Sequence, residues 1–370
     1  MLPNLELPHE RFGEVGVWER GIAFDDEYFA VVSPADPRLG EIRSSDPGAS
    51  RILESFRDET GKPYIPSAII ANRAAPYEVR NSAAAVIDFR NIVAIAALLR
   101  SRASILASSR FDEPVFSETF DLHPAQVARS GSVVIDSPGL LSSLGKSADL
   151  NFTGSPFVIR SAGRVIVDER LFRGLATAWT MYHAGAPPRD DRLTSLFRAL
   201  EIAFVALAVP NKNMGSVHDF GVLIALWVSA LEILVVPAGK SSRNRVSKLV
   251  TRDPQFSVAT GLPVMDARNE RLVAFLGSLC DVLYTARNDF IHGNPLSPEV
   301  FVPQVQSVKV NLLEVAPVVF RSALAAFLVE VLPESDISFE GAPDQAASML
   351  IADGHYRHAI EQLQSGPASR

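Results

Sequence analysis

Leu272, Leu276, Leu279, Leu283, Ala286 and Phe290 recur at alternating spacings of four and three. A helix of several turns puts all six on one side, so the run predicts a helix over 265–291 with a single buried face. The end of that helix is legible too. Gly293 suits the left-handed turn that stops a helix, and Pro295 cannot continue one.

Arg287, Asn288 and His292 stand off this stripe, and of the seven histidines only His292 has an arginine at this spacing upstream. Asn288 and His292, four apart, share one polar strip while the helix lasts, with Tyr284 a turn earlier. Arg287 lies about 100° round from Asn288 and about 140° from His292 on an ideal helix. Arginine and histidine of one copy therefore do not converge easily. Either the helix unwinds before His292, or the two groups face partners supplied by a second chain.

The grouping suits phosphate chemistry. Arginine is a permanently charged planar fork matched to phosphate oxygens. Histidine, with an unperturbed pKa of about 6.5, can take or give a proton near neutrality. At a helix C-terminus the dipole favours its imidazolium, and nearby Arg287 charge opposes it. The bland alternative is a capping histidine on the last carbonyls, with Arg287 paired internally to a carboxylate.

Phe220 to Val236 spans 17 residues that are apolar apart from Ser229 and Glu232. The run is shorter than the roughly 20 residues of a membrane span and carries a carboxylate, so it predicts a core helix and no membrane partner. A carboxylate there needs a partner of its own. Between the two helices Lys240, Arg243, Arg245, Lys248 and Arg252 form a basic cluster, with Val246, Leu249 and Val250 on the other side of its helix. Such a cluster can track an RNA backbone or be a solvated face. Phe256 is the nearest aromatic, so a stacking platform for single strands is not evident.

Arg287-Asn288-Asp289-Phe290-Ile291-His292 fits the arginine, four to six residues, histidine motif of HEPN domains, with the asparagine that often follows the arginine. Upstream, Ala230-Leu231-Glu232 lies on an apolar helix that precedes a basic stretch and then Tyr284, Arg287, Asn288, His292 and Gly293. Over roughly 190–335 this resembles the Apea-like branch of the HEPN superfamily. The resemblance implies a metal-independent endoribonuclease acting at a homodimer interface, with RNA as substrate and 2′,3′-cyclic phosphate and 5′-hydroxyl ends as products. It makes Arg287 and His292 catalytic and Asn288 orienting, with Glu232 and Tyr284 in support. Stress or phage defence would be the setting. Glu232 would orient the Arg287 guanidinium, or form a purely structural ion pair with it. The other class of reading is a HEPN module without catalysis that binds RNA, a nucleotide or a protein; a helical scaffold that only dimerises is a third.

The remaining expectations are bounds. At 370 residues, 47% hydrophobic and 21% charged, the chain has room for two domains of ordinary globular composition. A net charge of −7 argues against indiscriminate nucleic-acid binding, so any attraction for RNA must be local. The single cysteine, Cys280, cannot close an intrachain disulfide and reads as a small buried hydrophobe; the first residues lack the basic start and apolar core of a secretory signal. A cytoplasmic protein is the expectation. His355 and His358 share a helix face without a third ligand, and no zinc spacing, P-loop or Rossmann glycine run occurs, so neither metal nor cofactor is expected. His9, His123, His183, Trp18 and Trp179 read as surface or packing residues. Gly221 and other isolated glycines carry no evident meaning.

The predicted architecture is multidomain. Residues 1–186 form an α+β N-terminal domain that could receive a protein partner. Its strand-like runs are Val15–Ile22, Tyr28–Val32, Ile65–Ala71, Val115–Phe120, Val133–Ile135 and Phe157–Val167, with a helix at Ala83–Ser108 and loops at Ser33–Ser50 and Gly139–Gly145. Residues 191–335 form an all-α bundle, HEPN-like by the resemblance, with helices near 192–209, 216–236, 241–252, 265–291 and 305–332. Residues 336–370 form a tail with one helix.

Overall fold

The structure is a computed structural model and describes residues 1–2, 5, 22–25, 28–56, 62–108, 115–123, 125–127, 133–137, 140–143, 165–185, 190–208, 216–235, 243–257, 263–332 and 343–365. The chain is mostly helical, with small antiparallel strand groups toward the N-terminus. Its contacts divide it into two units, one of residues 1–90 and 111–165, the other of residues 91–110 and 166–370. The boundary expected at residue 186 falls instead after Val165.

In the first unit, β1 (Ile22–Asp25), β2 (Phe29–Val32) and β3 (Ala68–Ala71) form an antiparallel sheet with β2 in the middle. Every residue of β2 is buried, which accounts for its unbroken apolar run. The loop expected at Ser33–Ser50 is corrected to α1 (Pro37–Ser45) and the start of α2 (Pro47–Glu54). Each begins with aspartate then proline: Asp36 accepts the Arg38 amide at 2.9 Å, and Asp46 accepts the Gly48 amide at 2.8 Å. Leu39 and Leu53 from these helices close over Ala30, Val32, Ala68 and Ile70.

Next come α3 (Tyr77–Arg80) and α4 (Ala83–Ser108), the latter with the bounds expected from sequence. Val115–Phe120, expected as a strand, contains instead a 3₁₀ turn at Ser117–Phe120. Residues three apart stack in such a turn, and Ser117 and Phe120 are both buried. A second antiparallel sheet orders β4 (Ala125–Val127), β5 (Val133–Ser137) and β6 (Leu140–Ser143), so the loop expected at Gly139–Gly145 contains a strand paired to β5. The run expected at Val15–Ile22 lies outside the described residues except for Ile22, and so does most of Phe157–Val167.

Among its described residues the second unit is helical apart from one hairpin, and it includes α4 from residue 91 onward. It contains α5 (Glu169–His183), α6 (Asp191–Ala206), α7 (Val217–Val235), α8 (Arg243–Val250), α9 (Pro254–Ser257), α10 (Pro263–Ile291), the hairpin β7 (Gln304–Val305) and β8 (Val308–Lys309), α11 (Leu312–Val331) and α12 (Pro343–Ser365). The helix expected from 305 starts at Leu312 because Gln306 and Ser307 hold positive φ in a hairpin turn, and Asn311 then accepts the Leu313 amide at 3.1 Å as the cap. Helix α5, expected in the N-terminal domain, and helix α12, expected in a C-terminal tail, pack on each other and belong to this unit.

Its centre is α7, which packs against α6, α10 and α11. Trp227 of α7 meets Phe320 of α11 with ring centroids 5.4 Å apart. Among the described residues two helices, α7 and α11, are long and apolar enough to cross a membrane; 44% of the α7 window and 78% of the α11 window are buried inside the fold. That burial includes a cation. Arg321 of α11 sits 3.5 Å from Asp168 and 3.4 Å from Asp253, with its guanidinium 4.2 Å above the centroid of the Tyr356 ring of α12. Both carboxylates also cap helices: Asp168 accepts the Leu171 amide of α5, and Asp253 the Gln255 amide of α9. One buried guanidinium thus ties the starts of two helices to α11 and α12.

Candidate functional site

Helix α10 ends as its sequence requires. The Asn294 amide bonds the Asp289 carbonyl at 3.0 Å and the Gly293 amide the Phe290 carbonyl at 3.2 Å, with Gly293 at φ +72°. This is the Schellman arrangement, and the Asn294 side chain adds a 2.8 Å bond to the Asp289 carboxylate. The His292 amide still bonds the Asn288 carbonyl at 3.0 Å, so the last turn is closed up to His292. The helix does not unwind before the histidine, and Arg287 and His292 of one chain leave it on different sides.

Arg287 is held from two directions. Its Nη1 donates to Asn288 Oδ1 at 3.0 Å, and its Nη2 lies 3.6 Å from Glu232 Oε2 on α7. Arg287 and Glu232 side chains are each 26% exposed, so the pair sits at the edge of the α7–α10 seam, reachable by a ligand. Arg287 Nε is shielded from solvent and has no hydrogen-bond acceptor among the described residues. Asn288 therefore orients the guanidinium through its carbonyl oxygen. His292 is exposed, and Tyr284 is buried in the helix interface.

The seam depends on a residue that carried no meaning in the sequence. Gly221 of α7 lies against the Phe290 ring, where a Cβ would overlap the ring carbons. Phe220 meets Phe301 with centroids 6.0 Å apart. Val222, Ile291 and Val302, each one residue from these contacts, are exposed.

The basic cluster does not act as one strip. Arg243 donates from Nε and Nη2 to Asp281 of α10 at 2.9 and 2.8 Å. Arg245, Lys248 and Arg252 line a cleft of about 260 Å³ with residues of α6, α7 and α11. Lys240 lies outside the described residues, as do His9 and Trp18.

Other expected residues are packed. The Cys280 thiol is buried and its pKa is pushed up to about 12, chiefly by desolvation and then by neighbouring Asp281. His183 lies in an aromatic cluster with Trp179, Tyr182 and Phe197. His123 is buried. Burial, Arg100 and His358 together lower the His355 pKa, and among the described residues no group of three metal-ligating side chains occurs. Arg321 was missed in the sequence, although it carries the signal that singled out Glu232, a single charge inside a long apolar run, here between Glu314 and Glu330. No family model matches the chain, and neither the curated proteins nor the solved structures provide a match.

Proposed function

We propose that the helical unit is a HEPN-like bundle and that the protein is a metal-independent endoribonuclease working as a homodimer. The observation that carries the reading is the state of Arg287: a guanidinium oriented by Asn288 and Glu232 at an accessible edge, on the helix whose closed end carries an exposed histidine. Since Arg287 and His292 diverge within one chain, a second copy completes the site, and Val222, Ile291 and Val302 provide apolar surface for it.

In this reaction His292 takes the proton of the ribose 2′-hydroxyl as the 2′-oxygen bonds to phosphorus. Arg287 stabilises the pentacovalent phosphorane. The P–O5′ bond then breaks, and an imidazolium, His292 of the partner subunit, delivers a proton to the departing 5′-oxygen. The products are a 2′,3′-cyclic phosphate and a 5′-hydroxyl, and no step requires a metal.

A second reading, a binding module without catalysis, is favoured by the same 3.6 Å contact if the Glu232–Arg287 pair serves packing alone. Purified wild type and His292→Ala incubated with end-labelled total RNA in EDTA separate the two. Cyclic-phosphate fragments from wild type alone support the ribonuclease; equal silence, with RNA binding retained, supports the module.

A further inference from the structure

The cleft of about 260 Å³ lies where the start of α6, the end of α7, helix α8 and the end of α11 meet. Arg245 and Lys248 of α8 and Arg252 just beyond it follow at spacings of three and four, so they form one row, and Arg192 of α6 joins them at the rim. The carboxylates there are Asp191 and Glu330. Cations thus outnumber anions in the cleft, against a net charge of −7 for the chain.

Glu330 shows what the cleft takes. Its Oε2 lies 3.1 Å from Arg192 Nη2 and its Oε1 3.1 Å from Arg252 Nη1, so the two oxygens of one planar carboxylate are divided between arginines of different elements. All three side chains are substantially exposed, and pairs of that kind are weak and exchangeable. Arg192 does not depend on the pair for its place. Its Nη1 also donates to the Glu330 main-chain carbonyl at 3.3 Å, and its guanidinium covers the Phe327 ring, 5.2 Å from the centroid. Arg245 and Lys248 pair with no carboxylate among the described residues, so their charge serves a second anionic group.

The base of the cleft offers no apolar wall. Leu234, Leu249 and Phe327 are at most 5% exposed, and Arg192 lies over the last of them. A ligand is therefore held by charge and hydrogen bonds rather than by stacking. Small-ligand clefts start at roughly 300 Å³, so it is also compact.

We propose that the cleft binds a small polycarboxylate without a ring, of the citrate class. One carboxylate takes the place of the Glu330 side chain between Arg192 and Arg252, and a second is held by Arg245 and Lys248. The site is distinct from the Arg287–His292 edge and does not rest on the ribonuclease reading.

Titration calorimetry on the full chain at low ionic strength tests this with citrate, acetate and pyrophosphate as probes. Citrate should bind at one site per chain with a Kd below about 1 mM, at least about tenfold tighter than acetate, which can fill only one of the two positions. Arg245→Ala with Lys248→Ala should weaken citrate by about tenfold or more, since charge-assisted contacts are lost. Both side chains are exposed, so the melting temperature of that variant should match wild type. Glu330→Gln should tighten citrate severalfold by removing the competing carboxylate. Arg268→Gln removes a cation that pairs with Glu361 instead, and should leave citrate affinity within about twofold, as screened distant charges do. The proposal is overturned if neither wild type nor Glu330→Gln saturates with citrate. It is equally overturned if pyrophosphate binds as tightly as citrate, or if Arg268→Gln weakens citrate as much as the double variant does, since either result means that charge alone selects the ligand.

Discussion

Gly221 of α7 supports the face of the Phe290 ring of α10, and no other residue type fits there without displacing the ring. This contact sets how closely the helix carrying Glu232 approaches the helix carrying Arg287 and His292. Gly221→Ala should destabilise the helical unit by about 1–3 kcal/mol through overpacking. Urea unfolding checks it, and Phe290→Leu in the same chain should recover part of the loss.

Arg321→Met should cost about 3–5 kcal/mol, because it leaves Asp168 and Asp253 as unpaired buried carboxylates. Adding Asp168→Asn and Asp253→Asn keeps both helix caps and removes both charges. That triple variant should regain most of the stability in chemical denaturation.

For the Glu232–Arg287 pair, partial exposure and a 3.6 Å separation predict a coupling of no more than about 1 kcal/mol in a double-mutant cycle of stability. Under the proposed ribonuclease reading, RNA cleavage should respond differently. Arg287→Lys keeps the charge but loses the fork, and should reduce kcat by about 100-fold with the melting temperature unchanged.

Ile291→Glu places a charge on exposed apolar surface beside His292. Monomer stability should change by less than about 0.5 kcal/mol, as for ordinary surface substitutions. Under the proposed homodimer reading, light scattering should show the assembly dissociating and cleavage falling with it; a dimer that persists would mean the copies meet elsewhere.

The thiol of Cys280 has its pKa raised from 9.0 to about 12 in the fold. A raised folded value means the protonated form is favoured by folding, so its stabilisation is full below pH 9 and is lost as pH rises toward 12. Stability should fall across that window by up to about 1.4 kcal/mol per pH unit from this group, and Cys280→Ala should remove that slope. At pH 8 iodoacetamide should label the native protein far more slowly than the unfolded chain.

Helix α10 was legible from sequence because its apolar spacing and its glycine stop are local properties. The same holds for α4 and α7. The loop at Ser33–Ser50 was misread even though Asp36–Pro37 and Asp46–Pro47 are local start signals, because both helices are short and α1 carries little apolar periodicity. The 3₁₀ turn at Ser117 and the hairpin ahead of α11 were misread for a different reason: strand or helix propensity over five or six residues is easily overridden by packing.

What the sequence by itself determined is α4, α6, α7, α8 and α10 to within a few residues, the stop of α10 at Gly293, and the candidate grouping of Arg287, Asn288 and His292. Only the tertiary structure decided which partners these groups take. It joined Arg287 to Glu232 across 55 positions of chain, placed Gly221 under Phe290, and brought Asp168, Asp253 and Tyr356 around Arg321. It also divided the basic cluster, sending Arg243 to Asp281 and turning Arg245, Lys248 and Arg252 toward the cleft shared with Glu330. Periodicity reports which face of a helix is buried, whereas the partner across that face is set by helix crossings between residues far apart in the chain.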